Sequence, residues 1–93
     1  MFAIYVRKSW LETIGEIRDR VIVREGSGEY ASLLASEAIT NFPFVETKLA
    51  RKEVTDKGDA FLSAQIPVSE ISGIFSLTNA EAGKYGFHPP RKK

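Results

Sequence analysis

Cysteine is absent from this chain and histidine occurs once. The first absence excludes disulfides, cysteine-ligated zinc, iron–sulfur clusters and thiol catalysis. The second excludes any site that needs two imidazoles. The one histidine, His88, stands between Phe87 and Pro89 close to the end of the chain. A catalytic base must be held by packing and by an orienting partner, and a terminal position supplies neither. No apolar run approaches the ~20 residues of a membrane-spanning helix. The opening MFAIYVRKSW places its apolar residues before its first charge, the reverse of a secretory signal, and is read as a first strand.

Other motifs are missing too. The nucleophile-elbow pattern G-x-S-x-G does not occur. Gly26-Ser27-Gly28 is too short for a phosphate loop and lacks its lysine, so it is read as a turn. The carboxylate pairs Asp56/Asp59, Glu12/Glu16 and Glu25/Glu29 lack the alternating oxygen ligands and the closing glutamate of a calcium loop. Neither a metal nor a cofactor is expected, and the chain is read as non-enzymatic.

What is present suits one small domain of 93 residues, 43% hydrophobic, with ten aromatics. Such a chain buries roughly 60–65% of its unfolded surface, enough for a single modest core. Charge is unevenly placed. Residues 1–83 carry nine Lys/Arg against twelve Asp/Glu, a balance of −3, while residues 84–93 carry Lys84, Arg91, Lys92 and Lys93 and no acid. We therefore expect a compact body over 1–83 and a basic tail over 84–93, with Pro89-Pro90 favouring polyproline II.

The stretch Phe61–Phe75, FLSAQIPVSEISGIF, is the most apolar and is expected to form the centre of the core. Around it, Phe2–Val6 alternates with period two and predicts a strand buried on both sides. Ser9 and Glu12 match a capping box. Trp10, Ile14, Ile17 and Val21 share a helical face, so a helix is predicted from Trp10 to about Arg18. The β-branched Val21-Ile22-Val23 predicts a strand closed by the Gly-Ser-Gly turn. For Glu29–Thr40 the i, i+3, i+4, i+8 stripe of Tyr30, Leu33, Leu34 and Ala38 favours helix. The alternative is a hairpin partner for Val21–Val23. A hairpin is predicted from Val45–Val54, the turn Thr55–Asp59 and Ala60–Ile66. Pro67 should end it or mark an edge. A helical turn at Val68–Ile71, a strand at Gly73–Leu77 and a turn capped by Thr78 or Asn79 complete the body.

The fold expected is α+β: an antiparallel sheet of four to five strands with one or two short helices on one face. A small all-β barrel is the alternative, with Glu29–Thr40 as strand. The function expected is an interaction module that binds a protein partner or a second copy of itself. It would use a sheet edge, Val45–Leu49 or Phe2–Val6, and the tail. The alternative is a nucleic-acid binder using the mixed basic and aromatic residues Arg7, Lys8, Trp10, Lys84, Tyr85, Phe87, Arg91, Lys92 and Lys93. Without cysteine or a membrane span, a cytoplasmic location is expected.

Overall fold

Along the chain run β1 (Phe2–Arg7), α1 (Lys8–Thr13), α2 (Gly15–Arg20), β2 (Val23–Glu25), β3 (Tyr30–Asn41), β4 (Phe44–Ala50), β5 (Phe61–Pro67), a 3₁₀ turn (Val68–Glu70), β6 (Ile71–Ser76) and α3 (Asn79–Gly83). The computed structural model describes residues 1–26 and 28–85. The expectations placed on Phe87, His88, the Pro-Pro pair and Arg91–Lys93 lie outside these described residues.

The strands form one antiparallel sheet in the order β5-β4-β3-β1-β6. β2 pairs with the first half of β3, on the side where β4 pairs with its second half. The α+β architecture is as expected, with six strands rather than four or five. The sheet is open between its ends β5 and β6, so the barrel alternative does not form.

The central strand is the segment for which helix was favoured. Tyr30–Asn41 is a twelve-residue strand, and it pairs antiparallel with Val23–Glu25, where the alternative had a hairpin with Val21–Val23. Ala31, Ser32, Leu33, Leu34 and Ala35 are all buried, so both faces of this strand are covered. A strand buried on both faces loses the alternation that would announce it, and a short continuous apolar run reads equally as helix. Its alanines and serine have helical or neutral propensity, which tertiary pairing overrides.

The sheet is strongly coiled, and its connectivity requires that. β5 ends at Pro67, which pairs with Phe44 opposite Asn41 at the far end of β3. β6 begins at Ile71, which pairs with Val6 opposite Ala31 near the start of β3. In a flat sheet these two points would lie four strands and ten residues apart, roughly 19 Å by 33 Å. Three residues join them, a link that reaches at most about 14 Å. Register shifts between Ala35 and Glu37 in β3 and between Tyr5 and Val6 in the β1–β6 pair mark where the strands bend. The Val68 amide donates to the Pro43 carbonyl at 2.9 Å and fastens the link to the β3–β4 turn.

The coil gives the sheet an inner and an outer face. The inner face carries the main core: Ile4, Val6, Ala31, Leu33, Ala35, Leu49 and Ile66, with Leu11 and Val21. Trp10, Ile14 and Ile17 from α1 and α2 pack against it. The single helix predicted from Trp10 to Arg18 is two, broken at Ile14 with φ −115° and ψ 49° just before Gly15. The capping box predicted at Ser9 and Glu12 is not formed, because α1 starts at Lys8 with Arg7 as an N-cap that makes no side-chain bond. The outer face carries a second cluster, Leu34, Ala50 and Ala82, flanked by Met1, Ile22, Phe61, Leu77 and Tyr85. Helices thus lie against both faces instead of one.

Phe61–Phe75 is not the centre of the core. Only Ile66 in it is fully buried, and Phe75 is 57% exposed. Its apolar residues sit on the two edge strands, which have a neighbour on one side only, whereas β1 and β3 are flanked on both. Leu33→Ala is therefore expected to cost about 2–5 kcal/mol. Lys48→Met, which removes an exposed pair with Glu37 at 3.6 Å, should change stability by less than about 1 kcal/mol. Urea unfolding of both variants measures the difference.

Candidate interaction surfaces

The two strands expected to be edges, Val45–Leu49 and Phe2–Val6, are interior: β4 lies between β5 and β3, and β1 between β3 and β6. The ends of the five-strand path are β5 and β6, and the three-residue β2 also pairs on one side only. Both ends lack charged residues, but they differ in exposure. β5 turns Leu62, Ala64 and Ile66 toward the core and ends on Pro67, whose missing N–H suits an edge. β6, ISGIFS, leaves Ile74 37% and Phe75 57% exposed. Its one irregularity falls between Ile71 and Gly73, so Gly73–Ser76 continues in regular register. Lysine and proline, the residues that usually blunt an open edge, are both absent from it.

A second surface forms on the outer face. Residues opposite each other in antiparallel strands share a face, and three rows cross β6, β1, β3 and β2. The middle row is Gly73, Tyr5, Ser32 and Arg24. One neighbouring row holds Phe75, Ala3 and Leu34, and the other Arg7 and Tyr30. The contacts agree with this placement. The Tyr5 and Phe75 rings meet edge to face at 5.4 Å. The Arg7 guanidinium lies 5.9 Å from the Tyr30 ring centre, and that of Arg24 5.5 Å from the Tyr85 ring centre. The Phe75 ring also lies over Gly73: a β-carbon there would come within 3.0 Å of it, so only a residue without one leaves the ring undisturbed.

Tyr85 is built into the body, not carried on a tail. α3 starts with a capping box in which the Glu81 amide donates to Thr78 Oγ1 and the Thr78 amide donates to Glu81 Oε1. That short helix sets Ala82 on Leu34 and Ala50. Tyr85 follows, its amide donating to the Ala82 carbonyl and its hydroxyl 3.1 Å from Ser32 Oγ. Ser32 Oγ in turn reaches the Arg24 carbonyl at 3.5 Å. The packed unit therefore runs past residue 83 to Tyr85.

The predicted basic and aromatic residues are only partly brought together. Arg7 and Tyr85 join the outer face. Trp10 goes to the inner face, half-buried against the core. Lys8 opens α1, and its Nζ donates to the Gly26 carbonyl. Lys84 is exposed at the end of α3 beside Glu81. The outer face also gathers Tyr5, Arg24, Tyr30 and Phe75, which the sequence did not single out. Tyr30 and Ser32 alternate as strand residues should, and reading Glu29–Thr40 as a strand would have set them beside the Tyr5–Arg7 pair.

A third exposed feature is the β3–β4 turn, where Phe42 and Phe44 are 80% and 38% exposed beside Ile39 at 59%. A shallow outer-face groove of about 370 Å³ runs back from it between Glu37, Glu46, Lys48 and Gln65. Among the described residues no group of three or more Asp, Glu or His is placed to hold a metal ion.

The Glu81 carboxyl is held below its ordinary range, first by the Thr78 amide, then by the Thr78 hydroxyl and the Lys84 charge. A lowered folded pKa means stability that is fully present above the unfolded glutamate value and lost as pH falls through the folded one. Carboxyl-detected NMR titration should give Glu81 a midpoint below the usual glutamate value, returning toward it in Thr78→Val. The Tyr85 ring signals should shift in the same acid range.

No family model, curated protein or solved structure matches this chain.

Proposed function

We propose that this protein is a non-enzymatic interaction module that binds a protein strand, from a partner or a second copy of itself, along β6. The observation that supports this most is the open, uncharged edge of β6 with Ile74 and Phe75 exposed beside it. A strand added there satisfies the outward N–H and C=O groups of the edge, and side chains on alternate positions supply selectivity. The basic residues Lys84, Arg91, Lys92 and Lys93, with no acid among residues 84–93, would favour acidic groups on a partner. The lack of cysteine agrees with a reducing compartment, and the cytoplasm is the proposed location. The non-enzymatic reading rests on the single histidine, the missing cysteine and the absent motifs.

Strand addition is sensitive to charge at the edge. Ile74→Glu is expected to abolish association seen by light scattering at micromolar concentration, or capture of a partner identified by mass spectrometry. Ile74 is 37% exposed and in register with buried Ile4, so a drop in melting temperature is expected, and circular dichroism at the assay temperature confirms that the variant is still folded. A parent protein that is strictly monomeric and captures no partner overturns the reading, as does association that Ile74→Glu leaves intact.

A further inference from the structure

We infer that the outer face formed by β6, β1, β3 and β2 is a stacking platform for single-stranded nucleic acid, a surface distinct from the β6 backbone edge. Water-facing sheet faces are ordinarily polar. This one presents Tyr5, Phe75, Tyr30 and Tyr85 with Arg7 and Arg24 between them. Two of the rings, Tyr5 and Phe75, are 37% and 57% exposed. Aromatic faces beside cations are how single strands are held, since every base offers a π-face and every step a phosphate.

Charge supports the same ligand. The full sequence carries twelve acids, yet the three rows that build the face hold two arginines and no acid. At the rim Glu70 reaches Arg7 at 3.8 Å, an exposed pair that a phosphate can replace. Arg24 has no ion-pair partner among the described residues. Its guanidinium rests on the Tyr85 ring, and that contact engages the flat side and leaves the edge N–H donors available to an anion. The groove that carries Glu37 and Glu46 lies elsewhere on the outer face, on β3, β4 and β5, so those carboxylates stand apart from the three rows.

The dimensions fit a short strand. Gly73 to Arg24 spans three strand spacings, roughly 14 Å; Tyr85 covers Ser32 within that span and takes its place on the surface, leaving a platform of rings for about two or three bases. Phe75 and Tyr5 would stack bases at the β6 side, and Arg7 and Arg24 would hold phosphates along and beyond β3. Double-stranded nucleic acid, whose bases are already stacked on each other, has no use for the exposed rings.

The test uses the full chain with a fluorescein-labelled twelve-nucleotide oligo(U), read by anisotropy across a salt series, with a duplex of equal length in parallel. The single strand is expected to bind more tightly than the duplex. Phe75→Leu keeps the apolar bulk and removes the ring. It should weaken binding about tenfold or more, leaving the salt slope unchanged. Arg24→Gln should lower the magnitude of the log–log salt slope by about 0.7, the loss of one phosphate contact to a single strand. Ile74→Glu, which sits on the opposite face, should leave single-strand binding within about threefold of the parent even where it abolishes association. That separates this inference from the edge reading. Circular dichroism and thermal unfolding confirm that each variant is folded. The inference is overturned by no anisotropy change at 100-fold excess of protein over probe, by duplex binding as tight as single-strand binding, or by full competition from poly-glutamate. It is equally overturned if deleting residues 86–93 removes all binding while Phe75→Leu and Arg24→Gln bind like the parent.

Discussion

Three residues, Val68–Glu70, join the two opposite ends of the sheet, and most of the architecture answers to that link. A chain that must return from β5 to β6 within one short 3₁₀ turn cannot do so across a flat sheet. β3 therefore runs twelve residues with a bulge near its middle, pairing with β1 and β2 on its first half and with β4 on its second. The bend gives the sheet a concave side that two short helices suffice to fill. That matters in a domain of this size, which has no disulfide and must hold itself by packing.

Filling the coil sets the composition of its middle. Where β3 is covered on both faces, its residues are Ala, Ser, Leu, Leu and Ala, small enough for helices to approach from inside and α3 from outside. The polar atoms admitted there are satisfied locally. Thr47 donates to the Ala64 carbonyl at 2.8 Å, and Ser32 meets the Tyr85 hydroxyl. Among the described residues no buried side-chain nitrogen or oxygen is left without a partner. Because an unpaired buried polar group costs about 1–3 kcal/mol, Ser32 needs Tyr85 as much as Tyr85 needs its docking site. The end of α3 is thereby fixed to the centre of the sheet.

Local patterning identified several elements that keep one face wet. β4 alternates Val45, Thr47 and Leu49 inward with Glu46 and Lys48 outward, and its hairpin with β5 was readable from that alternation and from the Thr55–Asp59 turn. The Thr78 cap, the 3₁₀ turn after Pro67 and the β6 strand were legible for similar reasons. The strand at the centre was not, since burial on both faces erases the period. The same misreading hid the edges: with Glu29–Thr40 as helix, β1 and β4 lose their shared neighbour and look unpaired. It also hid the outer face, whose members come from β1, β2, β3, β6 and the end of α3. Only the register of non-local pairs brings them together, and the residues Arg7, Lys8 and Trp10 that adjoin in sequence are separated by the sheet itself.

The inner face is consumed by the core, so the recognition proposed above would use what the coil turns outward: the β6 edge and the rows beside it. Phe75 belongs to both. Its ring lies over Gly73 of the edge strand and meets Tyr5 of the next strand edge to face, so the position of the edge backbone and the position of the stacking ring are set together. A strand added along β6 would lie beside Phe75 and extend the same outer face by one further spacing of about 4.8 Å. It would also bury part of the Phe75 surface that a base would otherwise cover. If both proposed surfaces are used, their occupation would be coupled through this single side chain. Whether they assist or oppose each other depends on what the added strand presents next to that ring: an aromatic residue would widen the platform, and an acidic one would close it to phosphate.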